Sequence, residues 1–180
     1  MLYRYGSLRA LADRNYNSNG LSGSHWLVSM GENRLVSGPS GKTRHSVQIL
    51  LDTSFLLTML KQHRDPEEEI KSEISRDVRI LILDIVLFEL ERLARKASAK
   101  TQAFARASLE FLDKRKFPII EHKPGPTDVD AALIACALTE KKPTGIATVD
   151  RAIRTALASQ EAPVIYPRTR RGLVAERFRF

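Results

Sequence analysis

Cysteine is almost missing from this chain. Its 180 residues hold a single one, Cys136, so no internal disulfide can form and a disulfide scaffold is excluded. No apolar run approaches the roughly 20 residues that a membrane span needs. The opening MLYRYGSLRALADR has no apolar core of signal-peptide length and carries Asp13, so it does not read as a secretory signal. These absences predict a cytoplasmic protein with no membrane partner. His25, His45, His63 and His122 are scattered. No paired metal-ligand spacing links them to one another or to Cys136, which argues against a zinc site. Cys136 itself sits in the apolar run AALIACAL and reads as a small core residue. No Gly-x-Ser-x-Gly elbow is present, and no internal repeat. Asparagine is missing from everything after Asn33.

Hydrophobic residues make up 43% of the chain, enough for a packed core, so wholesale disorder is excluded. The length suits one domain. Formal net charge is +8, which suggests a polyanion partner, nucleic acid first. That excess is unevenly spread. Residues 1–46 carry a net +4, residues 161–180 a net +3, and the long middle only +1. All four asparagines and six of the nine glycines also precede residue 47. Such residues favour turns and irregular backbone. The expected layout is an irregular extension over 1–45, a folded domain over 46–168 and a basic tail over 169–180. A true start further in, near Met30, is an alternative. The extension contains a decoy, SGPSGKT at 37–43. A phosphate-binding loop needs glycine five residues before Gly41, and Val36 stands there.

After Ser46 short apolar runs alternate with helical patterns. Residues 47–51 (VQILL), 79–83 (RILIL), 117–120, 145–148 and 164–166 read as strands. Helices are expected over about 54–62, from Pro66, from an N-cap at Asp84, over about 101–115, 128–140 and 151–158. This alternation predicts a three-layer α/β/α fold with a central, mostly parallel, five-stranded sheet. In such sheets ligands bind outside the carboxyl ends of the strands.

Those ends carry acids. Asp52 follows the first strand and Asp84 the second, with Glu89 about one turn further on. Asp128 and Asp130 open the helix after the third strand, and Asp150 follows the fourth. Left alone, such a cluster repels itself and raises some pKa values. A divalent cation removes the repulsion. Hard oxygen donors suit Mg²⁺ or Mn²⁺ rather than zinc, and such metals serve phosphodiester hydrolysis. Each acid also has an ordinary structural reading. Asp52, Asp84 and Asp150 can start helices, Asp128 and Asp130 can sit favourably at a helix N-terminus, and Glu89 can pair with Arg92.

Four stretches resemble the PIN-domain nucleases: ILLDTSFLL around Asp52, ILDIVLFELERLA around Glu89, DVDAALIACAL around Asp130, and GIATVDRAIR around Asp150, which continues into APVIYPRTRRG. Each is short; their order and spacing make the resemblance. It implies a PIN-like fold and a metal-dependent endoribonuclease that leaves a 5′-phosphate and a 3′-hydroxyl. It assigns Asp52, Glu89, Asp130 and Asp150 as catalytic metal ligands for Mg²⁺ or Mn²⁺, with Ser54, Asp128 and Thr148 in support. It implies single-stranded RNA as substrate, with Arg168, Arg170 and Arg171 placed to hold phosphates. The spacing from Asp84 to Glu89 and the ending VIYPRTRRG look most like the rRNA-processing branch, which implies ribosome-assembly partners. The toxins of toxin–antitoxin pairs share the same acids and imply an antitoxin instead. Homodimers are common in the family. A non-cleaving RNA-binding scaffold is the alternative from another class, and the presence of all four acids argues against it. The extension over 1–45 has no counterpart in the resemblance.

Overall fold

The structure, a computed structural model, describes residues 47–74, 77–122, 128–140, 142–168 and 172–178. The expected extension over 1–45 lies outside the described residues, as do Arg170 and Arg171. The elements run β1 (Val47–Leu51), α1 (Thr53–Lys61), α2 (Pro66–Ile74), β2 (Val78–Leu83), α3 (Asp84–Lys96), α4 (Ala99–Arg115), β3 (Ile119–Ile120), α5 (Val129–Thr139), β4 (Thr144–Ala147), α6 (Arg151–Ser159), β5 (Val164–Pro167) and β6 (Leu173–Glu176).

The strands form one sheet in the order β3-β2-β1-β4-β5-β6. All neighbours are parallel except β5 and β6. β1 is central, with Leu50 opposite Leu81 of β2 and Ile146 of β4. Every β1 residue is buried, as expected of a parallel strand covered on both faces. Its one polar member, Gln48, accepts a hydrogen bond at 3.3 Å from Thr144 Oγ1 on β4.

The chain steps from β1 outward to β2 and β3, then returns to β4 on the far side of β1. The direction of travel therefore reverses between β1 and β4. Right-handed crossovers then put α1–α4 on one face and α5–α6 on the other. The packing agrees: α4 lies against α3 and α1, and α5 lies against α6 and β4. Helical spacing supplies the contacts. α1 buries Phe55, Leu56 and Met59, α3 buries Val86, Leu87, Leu90 and Ala94, and α6 buries Ile153 and Leu157. Phe55 is among the largest fully buried side chains. Phe55→Ala is expected to cost about 3–5 kcal/mol, read as a fall in the urea midpoint.

Three expectations need correction. The sheet has six strands rather than five, because Leu173–Glu176, inside the expected tail over 169–180, form a strand. Gly172, at φ +77°, completes a turn after which β6 runs back along β5, with Leu173 opposite Pro167 and Glu176 opposite Val164. The Arg168 N–H closes the turn on the Gly172 carbonyl at 3.1 Å. Beyond β6, the Phe178 ring lies 2.9 Å from where a Cβ on Gly145 would sit, and the Pro163 carbonyl oxygen lies 3.2 Å from it. Glycine at 145 is what lets the C-terminal segment approach β4. Asp84 also differs from expectation. Leu83 is the N-cap of α3 and Asp84 its first residue.

Candidate active site

The reversal between β1 and β4 opens a crevice at their carboxyl ends, and Asp52 and Asp150 lie just beyond those two strands. Asp52 follows β1, and its N–H donates to the Ala147 carbonyl at 3.0 Å, which ties it to the end of β4. It is the N-cap of α1 by position, yet its side chain makes no capping hydrogen bond. Instead Oδ2 accepts two hydroxyl protons, from Ser54 Oγ and from Thr148 Oγ1, the latter at 2.7 Å. The helix-start reading of Asp52 therefore fails at the side chain. At 3% exposure the carboxylate is buried. Burial raises its pKa, and the two hydroxyls offset only part of that rise.

Thr148 is fully buried and works in two directions. Its hydroxyl donates to Asp52 and accepts the Asp150 N–H at 2.9 Å. Ser54 does the same across the crevice, donating to Asp52 and accepting the Val149 N–H at 3.3 Å. Two hydroxyls thus lock the loop after β4 onto the carboxylate after β1.

Asp150 caps α6. Its Oδ1 accepts from the Ala152 N–H at 2.6 Å and the Ile153 N–H at 3.4 Å. Asp128 caps α5 through Oδ2, which accepts from the Ala131 N–H at 3.2 Å. For both, capping is real and engages one named oxygen. Asp130, in the first turn of α5, has no such bond among the described residues. Its pKa is raised from 3.8 to about 6, first by burial and then by the charges of Asp52, Asp128, Asp150 and Glu89. Asp52, Asp128, Asp150 and Glu89 therefore lie within electrostatic reach of Asp130. Glu89 is half-buried on α3 and pairs with Arg92 at 3.4 Å. The Arg92 side chain is 66% exposed, so the pair is weak. Among the described residues no three His, Cys, Asp or Glu side chains form a group that could hold a metal ion. The acids share a field without forming a closed cage. Arg168 is exposed at the carboxyl end of β5, with its backbone held by Gly172.

Sequence reasoning missed one partnership at this edge. Asp84 Oδ1 accepts from the backbone N–H of His122 at 3.1 Å, and the His122 ring nitrogen Nδ1 lies 2.8 Å from the same oxygen. The pair joins the end of β2 to the end of β3. Only the position of each residue just after a strand hinted at it. Among the described residues no helix is long and apolar enough to cross a membrane.

The comparisons with known proteins bear on the family and the fold. The family model described as PIN domain matches residues 49–166. A search of curated proteins finds no match. Among solved structures, "Structure of the PIN domain endonuclease Utp24" superposes with a TM-score of 0.61 at 20% identity, covering 73% of this chain and 92% of that one. A domain of a functionally unknown protein from Methanocaldococcus jannaschii gives a TM-score of 0.47 at 18% identity, covering 71% and 95%. A protein from Pyrobaculum aerophilum gives 0.42 at 19%, covering 63% and 83%. The matched segment runs from β1 to β5 and contains every acid of the crevice, and the chain belongs to the PIN domain family.

Proposed function

We propose that the protein is a metal-dependent endoribonuclease that hydrolyses RNA phosphodiester bonds at the crevice between β1 and β4. The observation that carries this reading is the Asp52 carboxylate, buried after β1 and held by Ser54 and Thr148 to the loop that leads to Asp150, in a chain of the PIN domain family. Burial and the neighbouring carboxylates raise Asp130 to about 6 beside it. The donors are all hard oxygens, so the chemistry of the set fits Mg²⁺ or Mn²⁺. Asp52, Asp130 and Asp150 would hold the cation, with Glu89 completing the site, once these carboxylates draw together from the open arrangement of this structure. Bound there, a divalent cation would supply positive charge for the scissile phosphate and lower the pKa of attacking water.

The remaining work belongs to the chain's own groups. The two hydroxyls that hold Asp52 Oδ2 fix the direction of its other oxygen, as outer partners orient a ligand. Asp150 uses Oδ1 to start α6 and keeps Oδ2 for the crevice. Glu89, loosely held by Arg92, can turn to take a proton from water. Arg168 can hold a backbone phosphate beside the site, which positions RNA without reading its sequence.

The test compares wild-type protein with Asp52→Asn and Asp130→Asn on labelled RNA, with Mn²⁺ and then with EDTA. Cleavage should require the cation and fail in both variants. Cleavage that survives both substitutions would sink the reading. Thr148→Val probes the support of Asp52. It keeps the volume but removes both hydrogen bonds, so it is expected to cost about 1–3 kcal/mol of stability. Cleavage should fall about 10–100-fold. Thermal melts and single-turnover rates check the two effects separately.

A second reading, a PIN scaffold that binds RNA without cutting it, draws on the lack of a closed metal-holding group among the described residues. It predicts RNA binding with no cleavage in any divalent cation.

A further inference from the structure

A groove of about 310 Å³ opens between α1 and the start of α4, beside the carboxylate crevice. Ser54 and Val149, which belong to the network around Asp52, form its near wall. Leu57 and Phe104 give it apolar lining, and Lys61, Lys100, Thr58 and Thr101 give it polar lining. Phe104 and Leu57 are half-buried and both lysines are exposed. Neither lysine has an ion-pair partner among the described residues, although α2, α3 and α4 nearby carry several paired cations.

We propose that this groove seats one nucleotide of a single-stranded RNA next to the scissile bond, its base on Phe104 and its flanking phosphates on Lys61 and Lys100. This rests on the ribonuclease reading, which it deepens by naming how the strand is held. Three observations carry it. The groove is continuous with the crevice through Ser54 and Val149. It combines aromatic and apolar lining with two cations that have no ion-pair partner among the described residues, the pairing that holds single strands by stacking and backbone charge. Its volume, about 310 Å³, lies at the small end of ligand pockets, about 300–1,000 Å³, which suits one nucleotide rather than a longer stretch of strand. Lysine heads on flexible stems suit a phosphate as point charges.

The experiment measures fluorescence anisotropy of a short fluorescein-labelled single-stranded RNA in EDTA, using full-length protein carrying Asp130→Asn, so that binding is read apart from cleavage. The double variant Lys61→Ala/Lys100→Ala should weaken binding about tenfold and make the slope of log affinity against log salt shallower by about 1.4, the release expected for two single-strand phosphates. Phe104→Ala should weaken binding about tenfold as well, and Phe104→Trp should restore it. Lys61→Arg/Lys100→Arg should keep the slope. Thermal melts confirm that each variant folds. The same RNA as a duplex should bind with no dependence on Phe104. Unchanged affinity and slope in folded variants, or no measurable RNA binding at all, overturns the groove assignment. Cleavage by the wild type with an unaffected groove leaves the ribonuclease reading standing alone. Groove-dependent binding with no cleavage in any divalent cation upholds the groove and removes the nuclease.

Discussion

Asp130→Asn is expected to reduce RNA cleavage about a thousandfold and, in the same preparation without metal, to raise the melting temperature above pH 7. The two effects share one cause. In the folded chain the Asp130 carboxyl is raised from 3.8 to about 6 by burial and by Asp52, Asp128, Asp150 and Glu89. A carboxyl whose folded pKa exceeds its unfolded pKa binds its proton more tightly in the fold. Below the unfolded value, near 3.8, both states hold the proton and nothing is lost. As pH rises through the window up to about 6, stability falls, and above it the loss is complete. Asparagine keeps the shape and carries no charge, so it escapes that loss. The N-terminus of α5 favours a negative charge at this position, and the upward shift says that burial and the neighbouring carboxylates together outweigh it. Melts of both proteins in EDTA should coincide near pH 4 and diverge toward pH 8, with the variant higher. A variant that melts lower above pH 7, or that cleaves as the wild type does, contradicts this account of Asp130.

Removal of divalent cations has the second large expected effect. EDTA should bring cleavage to background at every pH, and excess Mn²⁺ or Mg²⁺ should restore it. The cation should also stabilise the fold, by about 2.7 kcal/mol at a hundred times its dissociation constant, because it replaces mutual repulsion among carboxylates with attraction. The pH dependence has a definite sign. A protonated Asp130 cannot serve as a ligand, so apparent cation affinity should drop as pH falls below about 6. Calorimetric titration with Mn²⁺ at several pH values reads this directly, and Asp130→Asn should flatten the profile. Undiminished cleavage in EDTA, or a cation affinity that does not change across this window, would remove the metal from the mechanism.

Much of this architecture was legible in the residue order. Strand and helix alternation gave the sheet and five of its strands, because fully apolar runs such as VQILL have few other uses in a short chain. The acids after β1 and β4, and those at the starts of α3 and α5, were legible for the same topological reason. What the acids do with each oxygen was not. Asp52, Asp128 and Asp150 all occupy N-cap positions, and composition cannot tell that Asp52 turns away from its helix toward Ser54 and Thr148 while the other two cap theirs. That choice depends on a hydroxyl 96 residues away. The Asp84–His122 pair and the lysine-flanked groove were hidden for a similar reason, since each joins side chains from separate parts of the chain. β6 was missed because LVAE is short, half-buried and set among arginines, so it carried neither the burial pattern of a core strand nor a clear alternation.

The antiparallel return of β6 changes how the C-terminal arginines can be studied. Cutting the chain after Arg168, where the residue pattern alone would end the domain, removes the hydrogen-bonded neighbour of β5. It also uncovers the surface of β4 that Phe178 reaches at Gly145. β5 would become a bare, apolar sheet edge, the kind of surface that pairs with other chains. A shortened protein would then precipitate or associate for reasons unrelated to RNA, and a weaker RNA signal from it would carry no information about charge. Replacing Arg168, Arg170 and Arg171 with glutamine in the full-length chain avoids this, because it removes the charges and keeps the strand.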